Sequence, residues 1–511
     1  MASKIFMGDM PELLGNILNN LNEDTRSLYS CVLVSHFWSK ISVPILWKDP
    51  FLLSRNSSFI SRYFSSLNEH DSFILNRCGI IIDFPNTLFH YAKFLKILDL
   101  SSLSYLVGNW IEDLNINLKK DVKLVKYDVA NLLFKLFIER GASLSKFDLN
   151  MSDDVDMGDE AFDIKPEIFY LLGRNECFFS QIKRLSVCIK IDPCPQSAIT
   201  LLRILDENSK KINSLKLGRI EEDDELIHTL ACIIKSQEQL KRLKLLCSVG
   251  YIISALKSQQ NSLRELIMDS CYFSIADFNK IKNFKNLEVI RIYHGRDTDV
   301  LLNILDFNDH KIKTLVLCAY SINAANILQL VQRSGTLLQR LTLSSEQKEI
   351  YSLPLLLEKL KNFCPNITFL NFSRIKLSAQ FLNLIGCLQN LQFLSLKWID
   401  NESEEEETKT SVIKFANILP LSLHYLNLHK SPHIDDFLDH CNAPLKSLLL
   451  EIKYGDEKLT NALIGFCVRK KTLDKMYIYD LFKHDDTWDK FKKDLEEYVE
   501  LVPLEHIYVS Y

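Results

Sequence analysis

The densest group of side chains that could bind a metal or transfer protons is His429, His433, Asp435 and His440. Imidazole and carboxylate groups are zinc ligands when they converge. These four fall in a predicted strand and its following loop, where His and Asp also serve as surface and helix-capping residues. We therefore expect surface and capping roles for them, and no bound metal ion.

The thirteen cysteines are dispersed from Cys31 to Cys467, and no two of them form a C-x-x-C pair. This spacing fits neither a zinc site nor a disulfide framework. We expect most of them to be small buried hydrophobic residues in a reducing compartment.

Three acidic runs, at 153–160, 221–225 and 400–407, could in principle bind calcium. Calcium loops need an ordered ligand spacing with a turn glycine, and the runs lack it. Each run follows a predicted strand and comes just before a predicted helix, whose N-terminus favours negative charge. We interpret the runs as solvated loops.

The sequence contains no G-x-S-x-G, no phosphate loop ending in Gly-Lys-Ser or Gly-Lys-Thr, and no H-E-x-x-H. Only 14 residues are glycine, under half of the usual share of about 7%, so glycine-rich phosphate loops are scarce. We expect a protein that is not an enzyme and needs no cofactor.

Composition is that of an ordinary globular protein, with 47% hydrophobic and 25% charged residues. The net charge of −4 provides no global attraction to nucleic acid or anionic membranes. The longest apolar run is the seven residues from Ala462 to Val468, too short to cross a bilayer, and acid and proline interrupt the N-terminal residues where a signal peptide needs an apolar run. We expect a soluble protein of the cytoplasm or nucleus, with no nucleic-acid or membrane partner.

The elements that position any functional side chain are indicated by a repeated pattern: apolar, two others, apolar, one other, apolar. Thirteen copies begin between residues 182 and 504, a mean spacing of about 27 residues. The first is Ile182-Leu185-Val187 and the last Leu504-Ile507-Val509. Two earlier and more widely spaced copies lie at Leu95-Leu98-Leu100 and Leu144-Phe147-Leu149.

Each copy predicts a short strand, because its last two apolar positions alternate across the chain direction. Helical periodicity between copies, as at 224–239 and 456–471, predicts a helix after each strand. Stacked strand–helix units bury a core between a parallel sheet and outer helices. We predict an α/β solenoid with the sheet on its concave side, forming an irregular arc because the spacings vary from 22 to 32 residues.

This pattern resembles the leucine-rich-repeat family over about residues 90 to 511. The family places Asn or Cys just after the strand, and Cys271 matches this position. Tyr320, Ile375 and Ile399 replace it in other copies. A regular asparagine ladder is therefore not expected.

Residues 10–47 lack the repeat and predict a small helical unit. Pro11 suits the first turn of a helix, and Asn22 or Asp24 can cap a second one. An apolar stripe runs along the first helix at Leu13, Leu14, Ile17, Leu18 and Leu21. So small a unit cannot bury a large core, and we expect a partner to share its apolar surface.

The segment resembles an F-box, the helical module by which substrate receptors join cullin-RING ubiquitin ligases. The matching residues are Pro11, Glu12, Leu13, Ile17, Leu18, Leu21, Asp24, Leu28, Val32, Trp38 and Trp47, with Met10 in place of the usual leucine. The resemblance implies binding to an adaptor of the Skp family and, through it, to a cullin. The implied adaptor-binding residues are Met10, Pro11, Leu13, Leu14, Ile17, Leu18, Leu21, Val32, Trp38 and Trp47.

The predicted domains are an F-box at 1–50, a helical connector at 51–90 and a leucine-rich-repeat solenoid at 91–511. The solenoid holds the thirteen clear repeats from 182 and the two weaker ones before them. The connector lacks a Gly, Pro or Ser linker, so we expect it to pack against its neighbours.

Side chains that flank the apolar strand positions are expected on the concave face, because side chains alternate along a strand. The first half of these columns is basic, with Arg184, Lys216, Arg242, Lys244, Arg291 and Arg340; the second is aromatic, with Phe369, Phe393, Tyr425 and Tyr477. A basic groove suits an acidic or phosphorylated segment, and arginine and tyrosine often dominate binding energies. These residues are the predicted site for a protein substrate, unless exposed strands merely tolerate such side chains.

The sequence therefore predicts a substrate-recognition subunit of a Skp/cullin/F-box ubiquitin ligase, in which another subunit transfers ubiquitin. One alternative is a non-degradative scaffold that uses only the adaptor. In another, residues 10–47 simply cap the solenoid. A repeat protein with catalytic residues dispersed along the chain is a third.

Overall fold

The computed structural model describes residues 10–22, 24–53, 57–81, 84, 87–116, 118, 121–152, 163–190, 196–220, 223–246, 250–271, 284–295, 311–319, 324–345, 354–398, 405–429, 431–452, 457–480 and 492–507. The chain forms two compact units, Met1–Ser262 and Leu263–Tyr511.

The first unit begins with three short helices, α1 (Pro11–Asn19), α2 (Thr25–Val32) and α3 (His36–Leu46). Pro11 occupies the first turn of α1, where its missing N–H costs no hydrogen bond. The carboxylate of Asp24 accepts a hydrogen bond of 3.0 Å from the Ser27 N–H and caps α2. The Ser35 hydroxyl oxygen caps α3 by accepting one of 3.2 Å from the Trp38 N–H.

Helices and strands then alternate in the first unit. The helices are α4 (Pro50–Leu53), α5 (Glu69–Cys78), α6 (Leu100–Asp113), α7 (Val122–Glu139), α8 (Pro166–Arg174), α9 (Gln196–Asn208), α10 (Asp224–Ser236) and α11 (Gly250–Ala255), with 3-10 turns at Ser57–Ser66, Tyr91–Phe94, Glu176–Phe178 and Leu256–Gln259. The strands are β1 (Ile97–Asp99), β2 (Lys146–Ser152), β3 (Arg184–Lys190), β4 (Ser214–Ile220) and β5 (Arg242–Leu245).

The second unit consists of further strands and helices. Its strands are β6 (Glu265–Asp269), β7 (Val289–Gly295), β8 (Thr314–Ala319), β9 (Arg340–Ser345), β10 (Phe369–Ile375), β11 (Phe393–Trp398), β12 (Tyr425–His429), β13 (Ser447–Ile452), β14 (Lys475–Asp480) and β15 (Glu500–Leu501). Its helices are α12 (Ala324–Ser334), α13 (Pro354–Phe363), α14 (Ala379–Cys387), α15 (Glu405–Ile418), α16 (Ile434–His440), α17 (Glu457–Arg469) and α18 (Leu504–Ile507), and a 3-10 turn spans Gly335–Leu337.

The strands of each unit pair in parallel, each with the next one along the chain. The predicted apolar positions lie in register: Leu215 of β4 pairs with Leu243 of β5, and Leu370 of β10 pairs with Leu394 of β11. These four side chains are buried. Both units are therefore α/β solenoids of the leucine-rich-repeat type, and the predicted fold class is confirmed.

Backbone hydrogen bonds just before most of the strands link successive repeats. The carbonyl of Lys183 accepts from the N–H groups of Asn213 and Ser214, and the carbonyl of Thr368 does the same for Gln392 and Phe393. This recurring bifurcated bond satisfies the polar groups of the turn that enters each of these strands.

The prediction of a strand at the last repeat, Leu504-Ile507-Val509, is wrong. Leu504 and Ile507 belong to the short helix α18, and Val509 lies outside the described residues. The strand that ends the sheet is instead β15, which pairs with β14 through Glu500 and Leu501. Its two residues lack the repeated pattern, so periodicity alone could not locate them.

We expected most cysteines to be buried, and the structure shows this for some of them. Among the described residues, Cys78, Cys271, Cys364, Cys441 and Cys467 are buried, whereas Cys177 and Cys387 are exposed. Every cysteine that the structure describes is a free thiol.

The structure divides the chain after Ser262, and the proposed boundaries at 50 and 90 stay predictions. Within the described ranges, no helix combines the length and apolar character needed to span a membrane.

Candidate protein-interaction surfaces

Residues 10–47 form a three-helix unit around a very small core. Leu14, Leu18 and Leu28 are its fully enclosed residues, and Leu21, Cys31, Phe37, Trp38, Ile41, Ile45 and Leu46 pack around them while remaining partly exposed. Leu14 and Leu18 are one helical turn apart on the same side of α1. That side of the helix therefore stabilises the unit itself.

The adjacent side of α1 carries apolar residues that no part of the described chain buries. Leu13 and Ile17, also one turn apart, are 47% and 49% exposed. Leu33 and Val34, in the turn between α2 and α3, are 70% and 60% exposed. We call these four residues the N-terminal apolar surface.

The predicted adaptor-binding residues separate into two groups by burial. Leu13, Ile17 and Pro11 are exposed, and Met10, Leu21, Val32 and Trp38 are half-buried. Leu14 and Leu18 are enclosed in the core of the unit. Leu14 and Leu18 therefore support the surface from within the core and do not contact a partner directly.

Sequence reasoning missed Leu33 and Val34. They lie outside the helical stripe of α1, and the signal that could have found them is a pair of large apolar residues directly before the helix cap Ser35. Large apolar residues in an exposed turn commonly mark an interaction site.

Trp47 has a different environment from the other predicted adaptor residues. Its indole stacks on Tyr91 with 4.0 Å between ring centroids. It also makes edge-to-face contacts with Tyr63 and Phe59, with 5.3 and 6.2 Å between centroids. Tyr63 in turn lies 5.1 Å from Phe137 of α7. Trp47 thus joins the three-helix unit to the segment that follows it, and the expected packed connection is present.

The face of the sheet opposite the helices, here called the open face, is where the substrate was predicted to bind. In β3–β5, Arg184 pairs in register with Ser214 and Ser214 with Arg242. One row further along the strands, Ser186 pairs with Lys216 and Lys216 with Lys244. Arg184, Lys216 and Arg242 are exposed, and Lys244 is half-buried. The structure therefore brings these four predicted residues together on one accessible face.

The remaining predicted basic residues, Arg291 and Arg340, interact with side chains of the second unit. The guanidinium of Arg291 lies 3.5 Å from the carboxylate of Glu265 on the neighbouring strand β6. The guanidinium of Arg340 lies over the ring of Phe369, 4.1 Å from its centroid. Arg291 and Arg340 are therefore engaged within the second unit, in contrast to Arg184 and Lys216.

The predicted aromatic residues form a stack along the open face of the second unit. Phe369, Phe393 and Tyr425 occupy one register row on β10, β11 and β12. Their ring centroids are 4.0 Å apart at both steps, with interplanar angles of 10° and 11°. Parallel strands in register hold equivalent rings at about the strand spacing of 4.8 Å, which favours this arrangement.

The expectation that this stack is exposed is wrong. Phe369, Phe393 and Tyr425 are only 3%, 7% and 6% exposed. They share a buried cluster with Leu449 of β13 and with Val502 and Ile507 near the C-terminal end, and the partly buried Tyr477 packs against it. Local alternation correctly gave the side of the sheet, but it could not show that a segment from elsewhere in the chain covers it.

The His/Asp group at 429–440 consists of separate pairs. His429 Nδ1 lies 3.1 Å from a Glu451 carboxylate oxygen, His433 occupies the N-cap position of α16 in a left-handed conformation (φ 48°), and Asp435 pairs with Lys458. Among the residues that the structure describes, no group of three or more His, Cys, Asp or Glu side chains is arranged to hold a metal.

Of the acidic runs, 153–160 and parts of the other two lie outside the described residues. The described part of 221–225 starts α10, where the Asp223 carboxylate accepts a hydrogen bond of 2.8 Å from the Leu226 N–H. Glu405, Glu406 and Glu407 occupy the first turn of α15. Both positions have the favourable helix-terminus electrostatics that the sequence predicted.

No family model and no curated protein matches the sequence. Solved structures that resemble it include a protein from Bacteroides fragilis (9% identity, TM-score 0.21), which covers 59% of this chain and 68% of its own. An internalin from Listeria monocytogenes has 12% identity and a TM-score of 0.27, covering 72% of this chain and 84% of its own. The yeast complex of Rad7 and Elc1 has 12% identity and a TM-score of 0.35, covering 79% and 92%.

Proposed function

We propose that the chain is a non-catalytic substrate-recognition subunit of a Skp/cullin/F-box ubiquitin ligase. Residues 10–47 bind an adaptor of the Skp family, and the open face of the repeats binds a target protein. A separate conjugating subunit then transfers ubiquitin to the target. The chain acts by holding the two proteins near each other, which raises the effective concentration of the reacting groups.

The observation that carries the proposal is the division of α1 into two apolar sides. Leu14 and Leu18 complete the core of the unit, so the unit does not need Leu13 and Ile17 for its own packing. Large apolar side chains exposed in such a small unit favour burial against a partner. The resemblance of residues 10–47 to an F-box supports the ligase adaptor as that partner.

The packing of Trp47 supports the tethering role. Because Trp47, at the end of the three-helix unit, packs its ring against Tyr91, Tyr63 and Phe59, an adaptor bound at the N-terminal apolar surface would be held at a defined position relative to the first repeats. A joint of this kind suits a receptor that must present a target repeatedly to the same enzyme.

The proposal is tested by affinity purification of the tagged full chain from cells, followed by mass spectrometry. We expect a Skp-family adaptor and a cullin to be recovered together. The double substitution Leu13→Asp/Ile17→Asp should remove both, because it places charge on the surface without touching the enclosed leucines. Leu124→Asp, at an exposed apolar residue of α7, is the matched control and should retain both.

The outcomes separate the alternatives. Recovery of the adaptor without a cullin would support the non-degradative scaffold, and recovery of neither would reduce residues 10–47 to a cap of the solenoid. Leu14→Ala is unsuitable here because Leu14 is fully buried, and its truncation would test folding.

A further inference from the structure

The four exposed or half-exposed cations on β3–β5 form a compact patch, which we call the basic face: Arg184, Lys216, Arg242 and Lys244. Neighbouring parallel strands are about 4.8 Å apart, and residues two positions apart along a strand are separated by about 6.6 Å. The patch therefore spreads over three strands and two rows. Ser214 lies between Arg184 and Arg242 in one row, and Ser186 lies beside Lys216 at the β3 end of the other.

This arrangement has an electrostatic cost for the chain by itself. Lys216 and Lys244 are direct register partners on the same face, and like charges at such positions repel. Lys146, at the start of β2, is neutralised by Asp148 at 2.6 Å. Within the described ranges, no carboxylate forms an ion pair with Arg184, Lys216 or Lys244. Their charge is available to an external anion.

The contrast with the second unit makes the basic face the accessible part of the predicted target site. On the open face of β8–β13, Val316, Thr342, Ser395, Asn427 and Leu449 are all buried, and the aromatic stack beside them is covered by Val502 and Ile507. Of the open-face side chains compared here, Arg184 and Lys216 are exposed and can therefore contact a target protein directly.

The distribution of the charges indicates the chemistry of the occupant. A single phosphate is bound best by cations that converge on one point, whereas these four are spread over three strands. Nucleic acid is bound by a long track of cations, commonly with six to ten phosphate contacts, and the patch is shorter. An extended peptide places alternate side chains about 6.6–7 Å apart, which matches the separation of the rows.

We infer that the basic face binds an extended, carboxylate-rich segment of a partner protein. This inference deepens the proposed function, on which it rests for identifying that partner as the ligase target. Several glutamates or aspartates at alternating positions would each lie near a cation, and Ser186 and Ser214 would donate hydrogen bonds to carboxylate oxygens between them.

The test measures binding of fluorescein-labelled short peptides to the full chain purified with its adaptor. Three degenerate peptide pools are used: Glu at alternating positions, Gln at the same positions, and one central phosphoserine. We expect the Glu pool to bind and the Gln pool not to. Lys216→Gln/Lys244→Gln should weaken the Glu pool about tenfold and Arg184→Gln should weaken it less, since each removes charge that is available to the peptide. Raising NaCl from about 0.05 M to about 0.5 M should weaken it further.

The matched control is Lys235→Gln/Lys257→Gln, which removes the same charge from exposed positions of the first unit outside the basic face. It should bind the Glu pool as the native chain does. Thermal unfolding shows that each variant is folded, and Lys216→Gln/Lys244→Gln should be at least as stable as the native chain because a repulsive pair is removed.

Equal binding of the Glu and Gln pools, or undiminished binding by both basic-face variants, would overturn the inference. Tighter binding of the phosphoserine pool than of the Glu pool would indicate a convergent phosphate site instead. A short fluorescein-labelled oligothymidine is measured in the same way, and tighter binding of it than of the Glu pool would indicate a nucleic-acid site instead. Adaptor retention is scored on the same preparations. Loss of peptide discrimination with the adaptor retained contradicts this inference alone, whereas peptide binding without the adaptor contradicts the proposed function alone.

Discussion

The indole of Trp47 stacks on the phenol ring of Tyr91 with 4.0 Å between centroids and 22° between planes. One residue further along the chain, the Lys48 carbonyl accepts hydrogen bonds of 2.9 and 3.1 Å from the N–H groups of Lys96 and Ile97. This is the same bifurcated bond that links successive repeats. The three-helix unit therefore ends as if it were the repeat before β1.

Replacing Trp47 should weaken this joint more than it weakens adaptor binding. Trp47→Ala removes three aromatic contacts of a half-buried ring and should lower the free energy of unfolding by about 2–3 kcal/mol. Trp47→Phe should lower it less, because stacking on Tyr91 is retained. Urea denaturation measures both. A large loss of adaptor affinity in Trp47→Phe without a loss of stability would show that Trp47 contacts the adaptor directly.

A buried ion pair fastens α5 to α7. Lys135 Nζ lies 2.6 Å from Asp71 Oδ1, and the Asp71 side chain is almost completely enclosed. Asp71→Asn leaves the Lys135 ammonium without its closest counter-charge, with only the Glu139 carboxylate at 3.9 Å, and should cost about 3 kcal/mol. The matched control is Asp148→Asn in the more exposed pair with Lys146, which should cost no more than about 1 kcal/mol. Equal losses in the two variants would contradict this account.

The same pair predicts an alkaline loss of stability. Burial by itself would lower the pKa of Lys135, but the hydrogen bond and negative charge of Asp71 raise it above its ordinary value of 10.5. A group whose pKa is raised by folding stabilises the folded chain below its unfolded pKa, and this contribution disappears as pH rises through the folded pKa. Unfolding free energies should therefore fall above about pH 10.5. The slope should be smaller in Lys135→Met.

The C-terminal residues should stabilise the second unit through the aromatic stack. Val502→Ala/Ile507→Ala removes two buried apolar side chains that pack in the same cluster as Phe393 and Tyr425, and should cost about 3 kcal/mol. Hydroxyl-radical footprinting should show increased labelling of Phe369, Phe393 and Tyr425. Leu504→Ala, at a 41% exposed position, is the control. Unchanged labelling in the double variant would mean that Val502 and Ile507 do not shield the stack.

The thiols should react in order of burial. Burial raises the pKa of Cys364 to about 12 and that of Cys441 to about 11, and the thiolate is the reactive form. Iodoacetamide at about pH 8 should alkylate the exposed Cys177 and Cys387 first and leave Cys364 unmodified until the chain unfolds. Peptide mass spectrometry follows each site, and early alkylation of Cys364 would contradict its burial.

The sequence predicted most of the strand positions because each repeat carries its own apolar register. Strands β1 to β14 all fall on the repeated pattern, and the helices predicted at 224–239 and 456–471 are found at Asp224–Ser236 and Glu457–Arg469. The exception is Leu504-Ile507-Val509, where local alternation fits a strand but Ile507 packs on the open face as part of a helical turn.

The candidate surfaces were predicted less completely, for a physical reason. Which side of a strand Phe393 or Lys216 occupies is a local property, and both sides were correct. Whether that side is accessible depends on distant parts of the chain: Val502 and Ile507 cover Phe393, while Lys216 is exposed. Similarly, the spacing of Leu13 and Leu14 gave one apolar stripe, but only the packing of α1 on α3 separates an exposed leucine from an enclosed one.

The central claim is that Leu13 and Ile17 bind a Skp-family adaptor. Isothermal titration calorimetry of the purified full chain with the purified adaptor tests it most directly. The account predicts a defined stoichiometric complex that Leu13→Asp/Ile17→Asp weakens at least about thirtyfold, the loss expected for one binding hot spot. Leu124→Asp should leave the affinity unchanged. Absence of binding by the native chain, or equal affinity for the native chain and the double variant, would contradict it.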